Sequence, residues 1–313
     1  MEALAVLAQS SALNPNSAEI HQYRAATLQR LKRYAEAIGC YEQALACKSD
    51  FVPAHLSLGS LLHFLGRFPE AIEHFKRAIA LDPDNPGNAI ARHLCSAFSG
   101  EQIPPRASNE YIRREFDTFA DRFDAQLQRL EYRAPQLLTD AAARAIGGPS
   151  GSLEVLDAGC GTGLCGPLLR PFARRLIGVD LSEGMIAKAR DRGVYDELVT
   201  EELTEFLESR RHSYDLILSA DTLVYFGDLE QVATAAAAAL RPGGVIAFSL
   251  ERLDAEGAEP GYHLEKHGRY THTEQYVQEI MTRVGTAIVS LKHAVPRVER
   301  GAPVAGLLVV ARK

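Results

Sequence analysis

Apolar and polar positions over the last two hundred residues fall into a regular alternation. From Tyr111 onward Phe116, Phe119, Phe123, Leu127 and Leu130 keep i, i+3, i+4 spacing, which predicts a helix with one apolar stripe. A second helix is expected over roughly 136–146, ended by Gly147-Gly-Pro. Apolar runs then predict strands at 153–158, 175–181, 195–200, 214–220 and 243–250. Helical patterns fall between them at 163–173, 182–191, 200–210 and 228–240. Such alternation predicts a parallel sheet covered on both faces. Two last apolar runs, 286–291 and 304–310, are joined by a polar segment too short for a crossover helix and should pair antiparallel.

The first hundred residues pattern differently, because the chain matches itself at an offset of 34. Ala25 pairs with Gly59, Leu28 with Leu62, Tyr34 with Phe68, Ala37 with Ala71, Tyr41 with Phe75 and Ala44 with Ala78. Small residues recur where helices approach closely, and aromatic residues recur where a groove must be filled. Period and pattern resemble the tetratricopeptide repeat. The second copy is the fuller one, with Leu58-Gly59, Gly66 and Pro83 also at motif positions, whereas the first has Arg24 and Ser49 where Leu and Pro are usual. Residues 1–15 read as the second helix of an earlier, truncated repeat, and 87–99 as a capping helix. A solenoid this short needs a neighbour to bury its faces, either the rest of the chain or a second copy in a homodimer. Residues 1–100 carry nine basic and nine acidic side chains, with no basic cluster to clamp a peptide carboxylate. Packing or dimerisation is therefore the simpler role for this region, and a peptide-binding groove is the alternative.

At 313 residues the chain has room for two domains. The expected division is a helical repeat domain over 1–100, a Pro-containing polar linker over 101–110 and a second domain over 111–313. A chain 46% hydrophobic and 24% charged is ordinary for a soluble globular protein. The net charge of −6, without a basic stripe, argues against a nucleic-acid partner. Five cysteines with no C-x-x-C pair suit free thiols in a reducing compartment. The N-terminus lacks a cationic leader and no stretch reads as a membrane span, so a cytoplasmic protein is expected.

The chemistry concentrates after the first predicted strand. Asp157-Ala-Gly-Cys-Gly-Thr-Gly163 is a glycine loop whose backbone N–H groups can approach a ligand, and Asp180 closes the next apolar run. Together they describe a nucleotide-type cofactor across the carboxyl ends of two parallel strands. Gly161-Thr-Gly-Leu-Cys-Gly166 also fits the dinucleotide fingerprint. Three features favour S-adenosylmethionine instead. Asp157 stands two residues before the first glycine, where a carboxylate can help hold the ammonium of a bound amino acid. Arg241-Pro-Gly-Gly244 precedes the fifth strand, and the chain ends in an antiparallel hairpin.

In these respects residues 110–313 resemble the class I S-adenosylmethionine-dependent methyltransferases. The resemblance implies a seven-stranded Rossmann-like sheet, parallel with a C-terminal antiparallel hairpin, and methyl transfer by in-line displacement. It also implies site roles. Asp157, Gly159, Gly161 and Gly163 would line the methionine moiety, and Asp180 would bind the ribose hydroxyls. Leu181 and Met185 would flank the adenine, with Glu202 (or Glu201) at its amino group and Leu203 beside it. Ser219, Ala220 and Asp221 would face the transferable methyl group.

Candidate bases are Asp221 and Tyr225, and the His- and Tyr-rich stretch 261–272, which in this fold lies over the acceptor pocket. From that stretch His263 and His267, with Tyr262 or Tyr270, are the acceptor-contacting candidates. No metal is expected there, since only Glu265 lies near the three histidines. The Phe116–Phe123 stripe reads most simply as core-facing, with Phe123 or Tyr111 as a cofactor cap in the alternative; Tyr132 and Arg133 could reach the methionine carboxylate. The expected function is methyl transfer to a small-molecule acceptor. The alternative is a protein or peptide methyltransferase recruiting its target through the repeats, and a third is a binding module on an inactive fold.

Overall fold

The computed structural model describes residues 14–101, 103–255 and 259–313. The chain divides into two compact units, Met1–Ile103 with Lys266–Gly268, and Pro104–Glu265 with Arg269–Lys313. Residues 1–13, most of the truncated repeat helix expected over 1–15, lie outside the described residues.

The first unit is helical: α1 (Ala18–Arg30), α2 (Tyr34–Cys47), α3 (Val52–Phe64), α4 (Phe68–Leu81) and α5 (Ala89–Ser99). The matched small residues explain the packing. Ala25, Ala37, Ala44, Ala71 and Ala78 are fully buried, and a methyl added at Gly59 would stand 2.7 Å from Phe75 Cε1. Arg33 clamps Glu36 and, one repeat later, Arg67 clamps Glu70. The αL turn between paired helices falls on Lys32 and on Gly66, 34 residues apart; the first copy thus keeps the turn without its glycine.

The second unit is built on a sheet of nine strands. β1 (Leu153–Ala158), β2 (Ala173–Asp180), β3 (Glu197–Thr200), β4 (Tyr214–Ser219) and β5 (Leu240–Arg252) pair in parallel, in the order β3-β2-β1-β4-β5. The path continues through β11 (Gly306–Arg312) to β8 (Ala287–Ala294), with β11 antiparallel to both neighbours. Seven strands, with the terminal hairpin, follow the expected plan. The other two are β6 (Tyr262–Leu264) and β7 (Tyr270–His272), where a loop was expected. A separate two-stranded ribbon, β9 (Val298–Glu299) with β10 (Ala302–Pro303), sits within the connection between the last two strands of the path.

Helices cover both faces. The second unit adds α6 (Asn109–Arg129), α7 (Ala134–Ile146), α8 (Gly166–Leu169), α9 (Glu183–Asp191), α10 (Leu203–Glu208), α11 (Glu230–Ala239) and α12 (Glu274–Arg283). Alternation along the strands divides the core: Val155, Leu176, Leu216 and Val245 pack with Leu138 of α7 on one face. Leu156, Ile177, Ile217 and Ile246 pack with Phe206, Val232 and Ile280 on the other. The strand order reverses between β1 and β4, so their carboxyl ends open a crevice at the topological switch point.

Candidate active site

A cavity of about 270 Å³ occupies that crevice, and every residue lining it belongs to the second unit. Its floor is the loop between β1 and α8. Gly159, Gly161 and Gly163 all hold positive φ, which only glycine adopts at low cost. A methyl at Gly159 would collide with Thr222 Oγ1 at 2.1 Å, so there the requirement is contact as well as conformation. At Gly161 the nearest atom is Phe123 Cε1 at 3.9 Å, so this backbone opens onto the cavity.

Two aspartates frame the loop. Asp180, ending β2, accepts from Gly161 N at 2.8 Å through one oxygen and from Ser182 N at 2.9 Å through the other. Burial pushes its carboxyl up against these backbone bonds. Each oxygen keeps a lone pair, and Asp180, Leu181 and Met185 all line the cavity. Asp157, on β1, is buried beneath the loop. Its Oδ2 accepts from Tyr195 Oη at 2.6 Å, while Oδ1 is buried with no hydrogen-bond partner among the described residues. Burial, opposed by the Tyr195 bond and aided by Asp180, pushes the Asp157 carboxyl up to about 7.

Helix α6 forms the roof. Phe116, Phe119, Phe123, Leu127 and Leu130 line the cavity, so the stripe faces an open space rather than a filled core. Phe123 meets Phe116 and Phe119 edge-on, at centroid distances of 6.0 and 5.9 Å. A second face of α6 carries aspartates one turn apart. Asp117 accepts from Ser182 Oγ and Gly184 N, Asp121 pairs with Lys188, and Asp124 bonds Thr162 Oγ1 at 2.5 Å and Arg192 at 2.6 Å. One helix thus presents aromatics inward while its acids pin it to α9 and to the glycine loop. Tyr111 is buried outside the cavity, 6.4 Å from the Tyr225 ring. Tyr132 lines the cavity, whereas Arg133 does not.

At the far end stands Asp221, with φ of 53°. Its amide donates to Ser249 Oγ at 2.8 Å, and the same hydroxyl donates back to Oδ1 at 2.7 Å. Its Oδ2 is paired with Arg297. Arg297 is nearly fully buried and also binds Glu251 and Glu299; Arg269 binds the same two carboxylates, at 2.5 and 2.8 Å. Burial works against the Arg297 charge, but Asp221, Glu251 and Glu299 outweigh it and hold its pKa above normal. Burial likewise opposes the Glu299 charge, but the two guanidinium groups hold that carboxyl at about 2. Burial pushes the Tyr225 phenol up, with Arg269, Glu115, Arg297 and Glu251 around it.

Several expectations are corrected. Ser219 does not face the cavity; its hydroxyl donates to Ala158 O at 3.0 Å, leaving Ala220 and Asp221 on the wall. His263 points outward on β6, because strand alternation turns Leu264 into the core instead. His267 falls in Lys266–Gly268, which group with the helical unit. Tyr270 and His272 are fully buried: Tyr270 Oη donates to Pro104 O at 2.7 Å and His272 Nε2 bonds Gly227 O at 3.0 Å. From that stretch only Arg269 reaches the cavity. Glu202 does line it, but caps α10 by accepting from Glu205 N at 3.0 Å and pairs with Arg106 at 3.2 Å, while Leu203 lines it alongside. The linker expectation is corrected from Pro104 onward: Ala107 N donates to Tyr225 O, and Pro105 O accepts from both Gly227 N and Asp228 N, each at 2.8 Å.

Sequence reasoning missed Arg106, Arg269, Arg297 and Glu299. Nothing in their spacing marks them, because each depends on a partner distant in the chain. Among the described residues no three His, Cys, Asp or Glu side chains converge as a metal-ligand set, and no helix is long and apolar enough to cross a membrane.

Comparison with known proteins adds family relationships. A model described as a methyltransferase domain matches residues 156–248, and tetratricopeptide-repeat models match 18–51 and 52–85. Human methyltransferase-like protein 27 is 38% identical over 110 residues, covering 34% of this chain and 45% of that protein. A malonyl-[acyl-carrier protein] O-methyltransferase of Priestia megaterium is 28% identical over 172 residues, covering 54% and 58%. The chain thus spans about half the length of the curated relatives it matches. Among solved structures, a Burkholderia thailandensis 1,6-didemethyltoxoflavin-N1-methyltransferase with bound S-adenosylhomocysteine aligns with a TM-score of 0.52 at 21% identity. That alignment covers 67% of this chain and 92% of the other, and at this identity it speaks for the fold alone.

Proposed function

We propose, for a chain that carries a methyltransferase domain of the S-adenosylmethionine-dependent kind and two tetratricopeptide repeats, that it transfers a methyl group to a small-molecule acceptor bound in the crevice of its second unit. The observation that carries this reading is one continuous cavity, lined by the glycine loop and Asp180 as well as by Asp221 and Tyr225. Its residues fit the cofactor: an orphaned buried carboxylate oxygen on Asp157, an open backbone cradle at Gly161 and a carboxylate with spare lone pairs at Asp180. Asp157 would hold the ammonium, Asp180 the ribose, and Leu181, Met185 and Leu203 the adenine. When bound, S-adenosylmethionine supplies an electrophilic methyl group on a sulfonium.

The chain's own residues then align and shield. The aromatic roof of α6 excludes water above Gly161. Asp221 is fixed by Ser249 and Arg297, so both its oxygens are engaged, and burial keeps the Tyr225 phenol protonated. Neither is poised as a base. This favours an acceptor whose attacking atom needs no deprotonation, for which positioning supplies most of the acceleration. The paired guanidinium groups of Arg269 and Arg297 are committed to Glu251, Glu299 and Asp221, which weighs against a free carboxylate acceptor.

The second reading, recruitment of a protein or peptide, is favoured by the two repeat matches. Incubating the full chain with methyl-labelled S-adenosylmethionine and a cell extract, then separating label by size, tests the two. A labelled low-molecular-weight product that is chromatographically distinct from the donor and absent without the chain supports the small acceptor, and new label found on protein with no such product overturns it.

A further inference from the structure

Beneath the glycine loop, Tyr195 fills a space that three glycines vacate. Methyl groups added at Gly163, Gly166 and Gly178 would stand 3.0, 2.7 and 3.0 Å from Tyr195 atoms. The ring therefore seats at one depth only, and its hydroxyl reaches Asp157 Oδ2 at 2.6 Å. That leaves Oδ1 of a fully buried carboxylate without a partner, a costly arrangement unless a cation or donor arrives there. Asp157 does not itself line the cavity; Gly159 and Cys160, two and three residues after it, do.

We propose that Tyr195 is a positioning residue that clamps one oxygen of Asp157, keeps the other open for the cofactor ammonium, and thereby sets the pH range over which the cofactor binds. This rests on the reading that S-adenosylmethionine occupies the cavity. The groups facing Asp157 are Tyr195 before β3, Asp180 on β2, Cys160 and Cys165 of the loop, and Tyr132 before α7; none carries a positive charge. Burial dominates, and the Tyr195 bond is what favours the ionised form. The ammonium needs the carboxylate, so affinity should fall as pH drops through about 7, where Asp157 takes up its proton.

Tyr195→Phe keeps the packed ring and removes only the donor. Without it the carboxyl pKa rises, so the loss of affinity should begin at higher pH, displaced upward by about one unit. The experiment is calorimetric titration of S-adenosylhomocysteine into the full chain from pH 5.5 to 8.5, for wild type, Tyr195→Phe and Asp157→Asn. Asp157→Asn should bind at least tenfold more weakly at pH 8 and show no break near 7. Coincident wild-type and Tyr195→Phe profiles, or a break surviving in Asp157→Asn, would overturn the proposal. Should Tyr195→Phe fail to fold, 3-fluorotyrosine at position 195, a stronger donor of nearly the same shape, should move the break to lower pH, and an unmoved break would overturn the proposal. A wild type that binds no S-adenosylhomocysteine at any pH instead removes the cofactor reading, and this inference with it.

Discussion

Two glycines two residues apart should fail in opposite ways. Gly159 and Gly161 both hold positive φ, 73° and 54°, so alanine at either site meets left-handed strain of about 1–2 kcal/mol. At Gly159 the new methyl would also stand 2.1 Å from Thr222 Oγ1 and 2.3 Å from Cγ2. Thr222 cannot swing aside freely, because its hydroxyl donates to Gly159 O at 3.1 Å. Overpacking of this kind adds about 1–3 kcal/mol. Gly159→Ala should therefore lower the melting temperature of the second unit by roughly 10 °C, at about 2–4 °C per kcal/mol for a domain of that size. At Gly161 the methyl meets nothing closer than 3.9 Å and projects into the cavity. Gly161→Ala should cost only a few degrees yet weaken S-adenosylhomocysteine binding tenfold or more, about 1.4 kcal/mol. Differential scanning calorimetry with and without S-adenosylhomocysteine reads both effects. If Gly159→Ala melts with wild type, or Gly161→Ala is the less stable of the two, the reasoning about this loop is wrong.

Other perturbations follow from the same geometry. Burial holds His272 down at about 4, so its contribution to stability is present above 6.5, its ordinary value, and is lost as pH falls through 4, a change of about 3 kcal/mol; urea unfolding at pH 7 and 4.5 should show this loss in wild type and a flatter profile in His272→Gln. Arg297→Met strips the buried cation from Asp221, Glu251 and Glu299 and should cost about 3–5 kcal/mol at pH 7. Part of that loss should be recovered at pH 5 as the carboxylates protonate, and equal losses at both pH values would count against the ionic account. Asp117→Asn combined with Asp124→Asn unpins α6 from the segment leading into α9 and from the glycine loop. Stopped-flow release of S-adenosylhomocysteine should quicken several-fold while the melting temperature shifts little, since exposed pairs contribute under about 1 kcal/mol each.

How much of this was legible depends on whether the signal is local. The strand–helix alternation, the 34-residue period and the closing hairpin are periodic, and they fix the architecture. Asp157, the three glycines and Asp180 were legible because backbone chemistry demands those residue types at that spacing. The stripe on α6 was visible, but spacing alone does not tell a filled core from a cavity roof. Partnership between distant residues left no trace: Arg297 acquires its role only when Asp221, Glu251 and Glu299 converge on it from the turn after β4, from β5 and from the β9–β10 ribbon. Residues 261–272 misled for the converse reason. Histidine and tyrosine there suggested chemistry, yet Tyr270 and His272 satisfy backbone carbonyls at Pro104 and Gly227, and Gly227 N in turn donates to Pro105 O.

A crystal structure of the full chain grown with S-adenosylhomocysteine is the most direct test of the central claim. The account predicts the amino end against Asp157, the ribose on Asp180, the adenine between Leu181, Met185 and Leu203, and the sulfur facing Asp221 and Tyr225. A cavity that remains empty at saturating ligand, or a ligand bound away from the glycine loop, would contradict it.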